Sequence, residues 1–166
     1  MAGGVVGLAL PGVPLVVPSL GPAAVASSSY HCSGYDPCKK AGYSDAGYGA
    51  VSGKMYWRMY SGHNCTNYVA YRMIKAGVSS ERPWSGSGMA RNWGLAMSKI
   101  TDKTPTVGSV AWWAAGDGVG SSGHVAIVEK VISPTQIQIS EDSWSGTFHW
   151  RTITKTGSGW PSNTRR

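Results

Sequence analysis

One short amphipathic helix ahead of a run of strands constrains this chain more than anything else in it. In Cys65-Thr66-Asn67-Tyr68-Val69-Ala70-Tyr71-Arg72-Met73-Ile74-Lys75, Val69 falls with Met73 and Ala70 with Ile74 at helical spacing, so one face is apolar. Asn64 is a good N-cap and Gly77 a good stop, which predicts a helix that begins at Cys65. A second, shorter helix is predicted over Met89 to Ser98, with Ala90, Trp93 and Met97 on one face and Gly94 weakening it. From Pro105 the texture changes to strands. Ser109 to Trp113 is a short apolar run and His124 to Val131 a longer one. Ser133-Pro134-Thr135 makes a turn, Gln136 to Ser140 sets Ile137 and Ile139 against Gln136 and Gln138, and Thr147 to Thr154 completes the set. A helix followed by a strand meander predicts an α+β domain, the helix packed on an antiparallel β-sheet.

A chain of 166 residues can bury one respectable core and calls for no more than one compact domain. Sparse charge with abundant Gly, Ser, Trp and Tyr suits a loop-rich exported domain better than a helical bundle. The formal net charge of +7 favours work on a polyanionic surface, yet Lys and Arg form no run that would follow a phosphate backbone. An anionic wall polymer is the expected partner rather than nucleic acid, with no stable membrane span and a monomeric state.

Met1 to Ala26 is apolar, uncharged and broken by Pro11, Pro14, Pro18 and Pro22. Ala24-Val25-Ala26 gives the small-x-small pattern of a signal-peptidase site before Ser27. No Lys or Arg precedes the apolar part, so the alternatives to a processed leader are a start further upstream or a disordered Pro/Ala/Val arm. Ser27 to Ala50 repeats Gly34-Tyr35, Gly42-Tyr43 and Gly47-Tyr48 without helical or strand period, and reads as an ordered arm with turns whose tyrosines cover the core. Residues 51–160 would form the main domain and 161–166 a frayed tail. Cys32 and Cys38 can close a small disulfide ring outside the reducing cytoplasm, which leaves Cys65 as the odd thiol.

Position turns that thiol from a small buried hydrophobe into a candidate nucleophile. The unpaired N–H groups of a helix start stabilise negative charge on sulfur, and a nearby imidazole can serve as base. His124 is the candidate partner, since it opens a strand after the flexible Gly116 to Gly123 loop. His31, His63 and His149 are weaker candidates; His63 stands too close to Cys65 in sequence to share its direction on a helix. A catalytic imidazole needs an acceptor on its second nitrogen. An antiparallel pair closed at Ser133 to Thr135 returns Glu141 to within about two residues of His124, with Asp142 the alternate because a one-residue slip exchanges their faces. The Cys65 N–H and the Asn64 side chain are candidate oxyanion donors, although Asn64 cannot serve fully as cap and donor at once. Trp93, Trp112, Trp113 and Trp144 flank these elements. Trp93, Trp113 and Trp144 are candidates to line a substrate groove, against a default of core packing.

These segments resemble the CHAP family, the cysteine, histidine-dependent amidohydrolases/peptidases that cut bacterial peptidoglycan. Gly62-His63-Asn64-Cys65-Thr66-Asn67-Tyr68-Val69 is similar to the family's nucleophile segment, and Ala90-Arg91-Asn92-Trp93 to its short aromatic helix. Pro105-Thr106-Val107-Gly108-Ser109-Val110-Ala111-Trp112-Trp113 resembles the strand before the histidine. Gly123-His124-Val125-Ala126-Ile127-Val128-Glu129 followed by Ile139-Ser140-Glu141 resembles the histidine strand and acidic third member. The resemblance implies a papain-like fold with Cys65 as nucleophile, His124 as base then acid and Glu141 as orienting group. It implies a secreted, wall-associated hydrolase of peptidoglycan that needs no cofactor, cutting either the N-acetylmuramoyl-L-alanine amide or a stem or cross-bridge peptide bond. Ser109 stands where an acidic residue is common, and the calcium-binding acidic loop of some relatives is not evident around Ser44-Asp45-Ala46, so no metal site is expected. No wall-binding repeat follows the domain. The competing readings are a non-catalytic wall-binding domain that keeps the fold, and a stem-peptide cysteine peptidase of the NlpC/P60 kind.

Overall fold

A computed structural model describes residues 27–144, 147–155 and 159–165; the leader expected over Met1 to Ala26 lies outside them. In chain order the described residues form β1 (Ser27–Ser33), α1 (Tyr35–Lys40), α2 (Cys65–Lys75), α3 (Trp93–Ala96), β2 (Thr101–Asp102), β3 (Val110–Trp113), β4 (His124–Ser133), β5 (Gln136–Glu141), β6 (His149–Thr154) and β7 (Ser162–Thr164). The strands join in one antiparallel sheet with the order β1-β6-β5-β4-β3-β7-β2.

Helix α2 starts where its cap dictates. The Asn64 side-chain oxygen accepts from the Asn67 N–H at 2.8 Å, and Gly77 beyond the last turn adopts φ 94°, a left-handed conformation that glycine takes at no steric cost. Tyr68, Val69, Ala70 and Met73 are buried against Val110, Val125, Ile127 and Phe148 of the sheet, forming the larger core cluster. Ala111, Trp113, Ala126, Val128, Ile137, Ile139, Ile153 and Trp160 pack together as a second cluster. The alternation along β4 therefore feeds two cores rather than one core and solvent, which explains its continuous apolar texture. A buried polar network pins α2 to the sheet. Arg72 Nη1 donates to Glu129 Oε1 at 2.5 Å, Ser140 Oγ donates to the same oxygen at 2.6 Å, and Ser140 Oγ lies 2.6 Å from the Tyr68 hydroxyl. The buried hydroxyls of Tyr68 and Ser140 are both partnered in it, as burial requires.

Three expectations change. The arm is not built of turns alone: β1 pairs with β6 and α1 follows it. A mostly exposed edge strand needs no apolar alternation, because its backbone bonds hold it, and Pro37 fits the first turn of α1, where an N–H has no helical acceptor. The frayed tail is instead β7, inserted between β2 and β3 with Asn163 fully buried. Three residues are too few to show a period. The helix predicted over Met89 to Ser98 is broken into a 3-10 turn at Ala90–Asn92, the four-residue α3 and a 3-10 turn at Ser98–Ile100.

Within α3, Gly94 passes close against the sheet. A Cβ there would lie 2.1 Å from the Trp112 ring, so the chain can pass only if residue 94 has no side chain. Gly94→Ala should destabilise the fold by about 2 kcal/mol or more through overpacking, despite alanine's better helix propensity. Urea unfolding checks this, and a neutral or stabilising result would refute the close packing.

Candidate active site

The first residue of α2, Cys65, is partly exposed, and it is the cysteine left free once Cys32 and Cys38 have formed their disulfide. Its backbone N–H has no partner within the helix, a consequence of standing at the start. His124 opens β4 opposite Trp113. Gly123 before it takes φ 70°, and a Cβ there would come within 2.7 Å of the Arg91 backbone and the Trp113 carbonyl oxygen. Only glycine lets the chain slip through that gap and deliver the imidazole to the strand end.

Strand pairing brings the carboxylate. Ile127 faces Ser140, so continuing the register sets Glu141 across from Ala126, on the same side of the sheet as His124. His124 Nε2 is 2.7 Å from Glu141 Oε2, and Cys65 is near enough to the same imidazole to raise its pKa. With Nε2 given to the carboxylate, Nδ1 is the nitrogen left for sulfur. Arg151 grips Glu141 with two bonds, Nε to Oε1 at 2.6 Å and Nη2 to Oε2 at 3.0 Å. Sequence reasoning missed Arg151; its place between Trp150 and Thr152 on an alternating strand was the available signal.

The charges follow from these contacts. Burial would push the His124 imidazole down, but its hydrogen bonds to Cys65 and Glu141 and the negative charge of both outweigh that and raise its pKa to about 10. Burial would push Glu141 up, but the His124 hydrogen bond and charge, with Arg151 behind them, lower it to about 2. The pair is thus an imidazolium facing a permanent carboxylate.

Asp142, the alternate acceptor, points elsewhere. It is fully buried and accepts from the Tyr35 hydroxyl at 2.7 Å and the Ser143 N–H at 3.0 Å, with His63 Nδ1 3.3 Å away. Burial pushes its carboxyl up against the pull of these partners. The Asn64 side chain, a candidate oxyanion donor, is engaged at both ends. Its oxygen caps α2 and accepts from Thr66, while its amide donates to the Tyr60 carbonyl at 2.7 Å. Trp93, a candidate groove residue, is 3% exposed, packed between Trp57 and Trp84, and donates to the Gly88 carbonyl. Trp113 is buried too, with its ring centroid 5.5 Å from that of His124, so it backs the imidazole. Trp144 is exposed beside Tyr60. Among the described residues no cluster of three or more His, Cys, Asp or Glu is placed to hold a metal ion.

Residues 54–143, over half of the chain, match the CHAP domain. The chain belongs to the CHAP domain family. The match contains Cys65, His124 and Glu141; the disulfide, α1 and Arg151 lie outside it. This CHAP domain is 36% identical over 98 residues to the N-acetylmuramoyl-L-alanine amidase sle1 of Staphylococcus epidermidis, covering 57% of this chain and 29% of that protein. It is 37% identical over 92 residues to the probable autolysin LDP of Staphylococcus aureus, covering 53% of this chain and 30% of that protein. A crystal structure of N-acetylmuramoyl-L-alanine amidase from Staphylococcus aureus aligns with 30% identity and a TM-score of 0.43, over 57% of this chain and 31% of that one. The CHAP domain chain therefore corresponds to about three-tenths of the length of each of these relatives.

Proposed function

We propose that this CHAP domain hydrolyses an amide bond of peptidoglycan, with Cys65 as nucleophile, His124 as proton carrier and Glu141 as the group that orients it. The observation that carries the reading is one imidazole held between a helix-start thiol and a buried carboxylate at 2.7 Å. With the proton given up by Cys65 already held on His124, the sulfur attacks the amide carbonyl carbon. The carbonyl oxygen takes the negative charge beside the Cys65 N–H. As the C–N bond breaks, the imidazolium gives its proton to the departing amine and a thioester remains. The imidazole then takes a proton from water, the hydroxide adds to the thioester carbonyl, and the thiol leaves with a free carboxylate as product.

The names carried by the staphylococcal relatives support the bond between N-acetylmuramic acid and L-alanine as first choice, with a stem or cross-bridge peptide bond as the other target. The Cys32–Cys38 disulfide supports an oxidising, extracellular place of work after removal of the leader, and the net charge of +7 supports attachment to anionic wall polymer. Digestion of purified walls tests the proposal. Released muramoyl carboxyl ends matched by new L-alanine amino termini identify the amidase, new amino groups at other stem or bridge residues without muramoyl carboxyl ends identify the endopeptidase, and products no greater than with heat-inactivated protein overturn the reading.

A further inference from the structure

A groove of about 650 Å³ is lined by α1, the loop after it and His63. His63 stands two residues ahead of Cys65, and its Nδ1 lies 3.3 Å from Oδ2 of Asp142, the residue after Glu141, so the groove and the candidate site border each other. Most of its wall lies outside the stretch that matches the CHAP domain, which makes it a property of this chain.

The wall is held from several sides. The Cys32–Cys38 disulfide encloses Tyr35, whose ring stacks on Phe148 and whose hydroxyl donates to the buried Asp142. Trp150 donates to the Ser44 carbonyl at 3.0 Å and Tyr71 to the Ala46 carbonyl at 2.8 Å. His63 Nδ1 sits 3.1 Å from the Tyr35 hydroxyl and 3.3 Å from Asp142 Oδ2, so this half-exposed ring is anchored through one nitrogen and keeps Nε2 for a ligand. Glu141, the last residue of β5, and Asp142 after it thus anchor two imidazoles, Glu141 that of His124 and Asp142 that of His63.

The charges in the groove select its occupant. Lys39 and His63 are the basic groups that line it. Asp45 turns its oxygens to the Gly47 and Gly49 N–H groups at 2.9 and 2.7 Å, and Asp36 is the other acid of the wall, one turn from Lys39. That pattern suits a ligand with one isolated carboxylate among neutral amides and disfavours a polyanion, which Asp36 would repel. We infer that the groove seats a free carboxylate of the stem peptide, held by the His63 Nε2–H and the Lys39 side chain, beside the amide presented to Cys65. The inference rests on the peptidoglycan reading above for its ligand class.

The test reads binding so that it stands apart from hydrolysis. Full-length Cys65→Ala protein is titrated calorimetrically with a muramoyl pentapeptide whose glutamyl α-carboxyl is free, and with the same peptide amidated at that carboxyl. The free acid should bind on the order of tenfold more tightly, the worth of one charge-assisted hydrogen bond. Adding His63→Gln or Lys39→Ala should bring the ratio of the two affinities close to one. Equal binding of the two peptides, no binding of either, or a preference that survives both substitutions would overturn the inference. A merely structural role of His63 would weaken both peptides alike and leave the ratio intact, which also counts against it. Failure of wild-type protein to release wall products would instead strike the hydrolase reading, whatever the binding ratio.

Discussion

Replacing His124 by Ala should lower amide hydrolysis at neutral pH by about 10³-fold, within the range that removal of a general acid–base group produces. The loss is this large because the one ring serves both half-reactions, protonating the amine in the first and activating water in the second. The fold should survive. Glu141 keeps the bidentate grip of Arg151, so the substitution leaves no buried carboxylate without a cation. Unchanged circular dichroism alongside lost wall digestion would show this. Alkylation of Cys65 by iodoacetamide at pH 7 should slow in the same variant, since the ring that takes the sulfur's proton is gone. A wall-binding domain that merely kept the fold would digest nothing in either form and would show the same alkylation rate with and without His124. That result would remove the catalytic reading.

The parts of the structure that could be read from sequence are those whose geometry is decided locally. Helix α2 carries its own cap at Asn64, its own apolar stripe and its own stop at Gly77, so its bounds follow from a dozen residues. The return of Glu141 toward His124 needs only a turn at Ser133 to Thr135 and the pairing of two strands. The irregularities between Val128 and Lys130 and between Val131 and Ser133 shift the partners without separating the two groups. What could not be read depends on distant backbone. β1 and β7 are held by sheet bonds to β6 and to β3 and β2, which leave no periodic trace in Ser27–Ser33 or Ser162–Thr164. Trp93 and Trp144 are the same residue type near the same elements, yet one is buried between two tryptophans and the other lies 71% exposed. Asp142 illustrates the same limit at the site. Its partner Tyr35 comes from the disulfide-closed arm, 107 residues away, and nothing local announces that meeting.

Glu141→Gln should cost both activity and stability, and the pH dependence separates the two effects. Glutamine can still accept from the imidazole, but it cannot stabilise the imidazolium by charge, so hydrolysis should fall by about 10²-fold or more. The negative charge of Glu141 is one of the influences that hold His124 up to about 10, so its removal lowers the imidazole pKa. The alkaline limb of the rate profile, where the imidazolium loses its proton, should therefore move to lower pH in the variant. On the stability side, His124 is raised in the folded state. Its contribution is fully present below about pH 6.5, the ordinary histidine value, and is lost as pH rises through about 10. Glu141 is lowered to about 2, so its contribution is present above about pH 4.5 and is lost as pH falls through about 2. The two contributions coincide between about pH 4.5 and 6.5. There the variant, which also takes the carboxylate from the part-buried Arg151 guanidinium, should be less stable than wild type by about 3 kcal/mol. Urea unfolding at a series of pH values should show the difference shrinking toward both extremes. A stability difference that stays constant across the series would mean that Glu141 acts by packing rather than by its charge on His124 and Arg151.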